Sequence, residues 1–231
     1  MSPRAVALIW HDVRLQYRYG IYAAYAFIVA LYVAELLLLG AVLPPWVPAL
    51  IIFTDPAALG FFFLGALMML EKSEGVRAAL AASPVSAIDY LTGKIATLVG
   101  LSLASCLVLL PFIHQVANPI LLFVAVMLTA IQYVGIGVPI ALRFKTVNGY
   151  LIGSAGFLTP LIAPGLLALF EPFPLWLAII PAVSQFRLLL TATGAASATS
   201  FEIGIALVIS AAAAIGAVAF ALHALRQELG K

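Results

Sequence analysis

Charged residues are scarce in this chain, and cysteine and histidine are scarcer still. Only 9% of the 231 residues are charged and 65% are hydrophobic, whereas soluble domains carry about 25% charged residues. This composition excludes an ordinary soluble domain and indicates an integral membrane protein. The single cysteine excludes a disulfide within the chain. The three histidines lie at segment ends without carboxylates at ligand spacing, so we expect no metal site.

The sequence also lacks a phosphate-binding loop. The pattern GxxxxGK[ST] does not occur, so we expect this chain to bind neither ATP nor another cofactor by that device. Ser154 lies in a GSAG sequence, but no histidine within an apolar segment is available to activate it. We therefore expect no catalytic residue, and we expect no nucleic acid among the partners.

Long apolar segments dominate what remains. A helix needs about 20 apolar residues to cross a membrane, so the sequence predicts an all-α integral membrane fold with about six transmembrane helices. Residues 1–231 form one transmembrane domain. The predicted spans are 20–39, 46–70, 95–113, 119–142, 148–170 and 201–222.

Two predicted elements lie outside the spans. Residues 3–19 place apolar and charged side chains on opposite sides of a helix, which is typical of an interfacial helix with Trp10, Arg14 and Arg18 at the membrane surface. An ordinary solvated leader is the alternative. Residues 171–200 are apolar but divided by prolines into runs too short to cross. They predict outer re-entrant half-helices, packed against protein.

The second apolar segment contains Thr54-Asp55-Pro56. A capping side chain followed by proline is typical of a helix start. This favours a break, with the second span beginning near Pro56 and residues 46–54 as an outer half-segment. The alternative is a continuous span with a proline kink and a buried acid.

Basic residues indicate the orientation. With six spans, one side collects ten of the eleven and the other side only Arg187. Because basic residues favour the cytoplasmic side, we expect both termini in the cytoplasm and residues 171–200 outside. The ten are Arg4, Arg14, Arg18, Lys72, Arg77, Lys94, Arg143, Lys145, Arg226 and Lys231.

A few polar side chains within the spans are candidates for a substrate path. Tyr25, Tyr32 and Glu35 share roughly one face of the first span, and an acid in a membrane usually faces protein or water. Asp55 and Gln132 are further candidates. The alternative for these residues is ordinary helix packing, with Gln132 in an interhelical hydrogen bond.

The longest hydrophilic interruption is residues 71–94, between the second and third spans. It resembles the segment that joins these spans in the membrane subunits of type 2 ABC exporters, where an E-R-E-x-G-T-like motif precedes a leucine-bearing helix, S/T-P, a tyrosine and G-K. The matching residues here are Glu71, Glu74, Gly75, Leu80, Ser83, Pro84, Tyr90, Gly93 and Lys94. Val76 replaces the usual hydroxyl residue. The stretches IWHDVRLQYRYG and FTDPAALGFFFLGALMMLEKSEGV are most similar to the fluoroquinolone export permease branch.

The resemblance implies a permease subunit in a prokaryotic inner membrane. Two such subunits, identical or different, would pair within the lipid and rest on two cytoplasmic ATPase subunits, which bind ATP and magnesium. Residues 71–94, with Arg77 among the coupling residues, would transmit ATPase closure to the spans. The substrate would be a hydrophobic or amphipathic drug, lipid or lipid-linked molecule. Reversing the charges of Glu71 and Glu74 would then uncouple transport without preventing insertion.

The competing interpretation is a self-contained secondary transporter or channel. A proton-coupled carrier would need a titrating membrane acid, and Glu35 and Asp55 are the candidates.

Overall fold

The computed structural model describes residues 3–76, 85–113 and 116–229, and regular structure within these ranges is entirely helical. Six helices in this part of the chain are long and apolar enough to cross a membrane. The all-α membrane class and the number of spans are therefore confirmed.

The spans follow a short N-terminal helix, α1 (Pro3–Arg18). A further helix, α7 (Pro181–Ala192), lies between the last two spans. The spans are α2 (Ile21–Leu39), α3 (Val47–Ser73), α4 (Ala87–Leu109), α5 (Pro119–Arg143), α6 (Val147–Ile162) and α8 (Ser200–Leu229). Short 3₁₀ turns continue α4 over Leu110–Phe112 and α6 over Ala163–Leu169, and another, Leu175–Ile179, precedes α7.

The predicted break in the second span is wrong, because α3 is continuous from Val47 to Ser73. Pro56 lies inside the helix, and a π-helical turn over Leu59–Phe63 follows it. Asp55 does not cap a new helix. Its carboxylate accepts a hydrogen bond from the Tyr25 hydroxyl of α2 at 2.6 Å. The local sequence assigned the Asp55 side chain to a helix start, but a residue from another helix provides its hydrogen bond.

The third span begins at Ala87 rather than at residue 95 because a capping box starts it. The Asp89 N–H donates to Ser86 Oγ at 3.1 Å, and the Ser86 N–H donates to the Asp89 carboxylate at 3.3 Å. Residues 87–94 are consequently the first two turns of α4. At the other end of the chain, α8 continues through the polar residues that follow position 222.

Helix α5 occupies the middle of the bundle and packs against α3, α4, α7 and α8. Small residues allow the closest of these approaches. A Cβ on Gly137 would lie 2.0 Å from the Gly60 carbonyl oxygen in the π-helical turn of α3, and one on Gly135 would lie 2.7 Å from the Ala217 backbone. Larger side chains at these positions would separate the spans.

One face of α1 packs on the bundle and the other is exposed. Asp12, Leu15 and Gln16 are buried, on a surface that meets α4. Trp10 and Tyr17, which belong to the face expected to lie on lipid, are 58% and 79% exposed. The side of α1 expected to face water therefore contributes buried contacts. Its position in the membrane interface stays a prediction.

Helix α7 is almost completely buried, against α3, α5 and α8. Between the last two spans the structure has the 3₁₀ turn Leu175–Ile179 and the helix α7, where the sequence predicted two re-entrant half-helices. Their insertion from the outer side stays a prediction.

Candidate functional site: a buried ion cluster at the coupling segment

Three charged side chains meet in the interior where α1, α3 and α4 come together. Lys94 of α4 is 0% exposed, and its ammonium donates hydrogen bonds to Asp12 Oδ1 at 2.8 Å and to Glu71 Oε1. The Tyr90 hydroxyl donates to the second oxygen of Glu71 at 2.6 Å. We refer to Asp12, Glu71, Tyr90 and Lys94 as the ion cluster.

Helical spacing and chain ends position these groups. Tyr90 and Lys94 are four residues apart on α4 and therefore lie on one face of the helix. The Lys94 ammonium also lies 5.2 Å from the centre of the Tyr90 ring. Glu71 belongs to the last turn of α3. The cluster thus joins both ends of residues 71–94 to the N-terminal helix.

Burial makes the ion cluster strongly dependent on its own pairing. A buried ion loses several kcal/mol of hydration, and only close opposite charges and hydrogen bonds offset that loss. Asp12 and Glu71 are 4% and 1% exposed, so each carboxylate depends on Lys94. A movement of α1 relative to α3 and α4 would have to break these contacts.

His11 borders the cluster from the exposed side of α1. Its Nδ1 lies 3.9 Å from Asp12 Oδ1. The interaction with the Asp12 carboxylate raises the pKa of His11 above its ordinary value of 6.5, although partial burial opposes the shift.

A second, exposed contact joins the same elements. Glu74, just after α3, accepts hydrogen bonds from the Arg18 guanidinium and the Tyr19 hydroxyl. Gly75 follows with a positive φ of 73°, a conformation that glycine adopts without steric cost. The exposed contact and the ion cluster together fix the start of residues 71–94 against the end of α1.

The predicted coupling residues therefore differ in accessibility. Glu74 and Gly75 are exposed, whereas Glu71 and Tyr90 are buried and contact each other. A buried Glu71 acts within the chain, and any contact with an ATPase falls to its exposed neighbours. Arg77, Leu80, Ser83 and Pro84 lie outside the described residues. The role of the whole set in coupling stays a prediction, and so does that of Trp10, Arg14 and Arg18, although the Arg14 guanidinium does lie 5.2 Å from the Trp10 ring centre.

The predicted substrate-path residues fall into two places. Tyr25 and Asp55 form a buried hydrogen bond between α2 and α3, while Tyr32 and Glu35, further along α2, are partly buried. Gln132 lies elsewhere, where its Oε1 accepts a hydrogen bond from Gln185 Nε2 of α7 at 2.7 Å. That pair matches the helix-packing alternative for Gln132. Within the described residues, no group of three or more His, Cys, Asp or Glu side chains could hold a metal ion.

Two curated proteins are similar to this chain along nearly its whole length. They are the fluoroquinolones export permease proteins of Mycobacterium tuberculosis strains CDC 1551 and H37Rv, and each is 26% identical over 216 residues, which is 92% of this chain and 91% of the relative. The resemblance to drug-export permeases is confirmed. No family model matches the sequence, and no solved structure matches it. The chain is a multi-pass membrane protein that is similar to export permeases, which favours a transport role over an enzymatic one.

Sequence reasoning missed two features of this chain. Asp12 was assigned to the water-facing side of α1, and its pairing with Lys94 spans 82 residues of sequence. Arg187 was assigned only to the outer side, but it is 4% exposed. Its guanidinium donates to Glu171 at 2.6 Å and to the Ser197 carbonyl at 2.8 Å, and so ties α7 to the loops on both sides. For Arg187 the available signal was its isolation in an apolar stretch, whereas Asp12, between His11 and Arg14, gave no such signal.

Proposed function

We propose that this chain is the transmembrane subunit of an ATP-driven exporter, powered by separate ATPase subunits. It moves a hydrophobic or amphipathic substrate out of the cytoplasm. Two permease subunits, of one kind or two, assemble with two ATPase chains that carry ATP and magnesium. The assembly lies in a prokaryotic inner membrane with both permease termini in the cytoplasm.

The ion cluster is the observation that carries this proposal. An ATPase that pushes on residues 71–94 can move the spans only if the segment is mechanically joined to them. Glu71 lies in the last turns of the second span, and Lys94 lies in the first turns of the third. Asp12 of α1 binds Lys94, which in turn binds Glu71. Because breaking a buried ion pair is costly, the three helices resist separation, and a force on the exposed part of the segment would reach all of them.

The similarity to export permeases supports the direction of transport, and the absence of GxxxxGK[ST] supports an external source of energy. An ATP-driven exporter that lacks its own nucleotide site requires a partner that supplies one. Exposed Glu74 and Gly75 offer the surface for that partner.

Purification of the tagged chain from native membranes tests the assembly. We expect equal numbers of permease and ATPase chains, and ATP hydrolysis that increases when the complex is placed in lipid. Purification as an oligomer of this chain alone, with no associated ATP hydrolysis, would contradict the proposal.

The buried Asp55 favours one competing function. A buried membrane carboxylate that accepts a hydrogen bond from a tyrosine and lies near no described cation could exchange a proton during transport, as a proton-coupled carrier requires. The chain alone, in proteoliposomes with an imposed proton gradient and no nucleotide, should then accumulate substrate. We expect no such accumulation.

A further inference from the structure

A groove runs along the membrane-spanning surface between α2 and α4, the first and third spans. Its volume is about 490 Å³, and it opens to the surroundings of the protein. That volume falls within the range of about 300–1,000 Å³ found for small-molecule sites. Val29 and Val33 of α2 and Leu101 and Phe112 of α4 contribute to its apolar walls.

Two buried hydroxyl groups interrupt this apolar lining. Tyr25 and Ser105 are 4% and 3% exposed, and both line the groove. The Tyr25 hydroxyl donates a hydrogen bond to Asp55. Its oxygen can still accept a hydrogen bond from a ligand. Ser105 Oγ lies beside the same carboxylate and the Tyr25 hydroxyl, without a hydrogen bond of normal geometry to a described residue.

Charge near the groove is of one sign. Asp55 lies directly behind Tyr25, and the side chains that line the groove include no lysine, arginine or histidine. An anionic ligand would therefore meet a buried carboxylate without a compensating cation, which is strongly unfavourable in an apolar medium. A cationic ligand would supply the positive partner that the Asp55 carboxylate lacks, and it would also supply a hydrogen-bond donor for Ser105.

We propose that the groove between the first and third spans binds a hydrophobic organic cation, with its apolar body between α2 and α4 and its charged group at Tyr25 and Ser105. Asp55 provides the counter-charge. The opening toward the membrane surface lets such a ligand enter from lipid. This inference rests on the proposed export function and names the class of substrate.

Three molecules with one skeleton test the charge preference. These are 6-phenylhexylamine, which is protonated at neutral pH, the uncharged 6-phenylhexanol and the anionic 6-phenylhexanoate. Binding to the full chain in phosphatidylcholine nanodiscs is measured by equilibrium dialysis, with empty nanodiscs as the blank for partition into lipid. We expect the amine to bind roughly tenfold or more tightly than the alcohol, and the carboxylate not to bind above the blank.

Variants locate the binding. Asp55→Asn should weaken amine binding about tenfold and leave alcohol binding nearly unchanged, whereas Glu202→Gln, which removes a carboxylate at the start of α8, should change neither. Ser105→Ala provides the same contrast if Asp55→Asn does not fold. Ala104→Phe fills the exposed wall of the groove and should weaken the amine and the alcohol alike.

Equal binding of all three molecules, or amine binding that survives Ala104→Phe, would overturn the proposal. A disulfide between two copies that carry Ala104→Cys would show that a second copy closes the groove, and would overturn it too. Because no ATPase is present, failure here leaves ATP-driven export untouched. Loss of ATP dependence would in turn leave the measured binding in place.

Discussion

Replacement of Lys94 by methionine should destabilise the protein severely. Methionine keeps most of the length of the lysine side chain but removes its charge and its donors. Lys94 is fully buried and bonded to two carboxylates. Without it, Asp12 and Glu71 face each other in the interior with no cation between them.

The expected loss follows from that geometry. Removal of one partner from a buried ion pair costs about 3–5 kcal/mol, because the remaining charge is buried without compensation. At about 1.4 kcal/mol for each factor of ten, the unfolding equilibrium constant rises roughly 140-fold to 3,700-fold. Asp12→Asn should cost less, about 1–3 kcal/mol, since Glu71 and Lys94 remain a balanced pair.

Unfolding by sodium dodecyl sulfate in mixed micelles, followed by circular dichroism, measures these differences. The triple variant Asp12→Asn, Glu71→Gln and Lys94→Met should recover most of the stability, because replacement of a whole buried ion cluster by neutral groups is often close to neutral. If Lys94→Met unfolds like the unmodified chain, or if the triple variant is less stable than the single one, the ion cluster does not hold these helices together.

Two further predictions concern the periphery of the cluster. Glu74→Lys should leave stability nearly unchanged, because exposed ion pairs contribute little, but should lower the export per ATP hydrolysed; normal export by this variant would contradict a role for Glu74 in coupling. It replaces the double charge reversal as the test, since a lysine at position 71 would bury a second cation beside Lys94. The pKa of His11 is raised in the folded state, so protonation of His11 stabilises the fold. This stabilisation is complete below about pH 6.5 and is lost as the pH rises through the pKa of the folded state. His11→Asn should therefore reduce the fall in melting temperature above pH 6.5, and an unchanged pH profile would argue against the contact with Asp12.

Hydropathy predicted the spans well because it reflects a requirement that each segment meets by itself. About 20 apolar residues cross a bilayer whatever they pack against. The predicted fourth span, 119–142, differs from the observed Pro119–Arg143 by one residue.

Local signatures failed where a distant partner decided the outcome. Thr54-Asp55-Pro56 has the composition of a helix start. The Asp55 carboxylate instead accepts a hydrogen bond from Tyr25, which is 30 residues away in sequence. The substrate-path hypothesis correctly singled out Tyr25 and Asp55 as polar groups within the membrane. It could not distinguish them from Gln132, whose partner Gln185 lies 53 residues further on.

The ion cluster also depends on contacts between distant residues, which a local motif does not reveal. The resemblance to exporters drew attention to Glu71, Tyr90 and Lys94 as a linear motif for contact with an ATPase. Their burial and the participation of Asp12 depend on how α1 folds back onto α4, which no spacing within residues 71–94 encodes. The motif therefore contains residues that connect helices inside the protein as well as residues on the exposed surface.

ATP-driven transport by the reconstituted complex tests the central claim most directly. The permease and its copurified ATPase are placed in proteoliposomes, and accumulation of 6-phenylhexylamine is followed in vesicles whose cytoplasmic face points outward. We predict accumulation that requires hydrolysable ATP and the ATPase, and that persists when proton gradients are collapsed. Accumulation by the permease alone, driven by a proton gradient without ATP, would contradict the account.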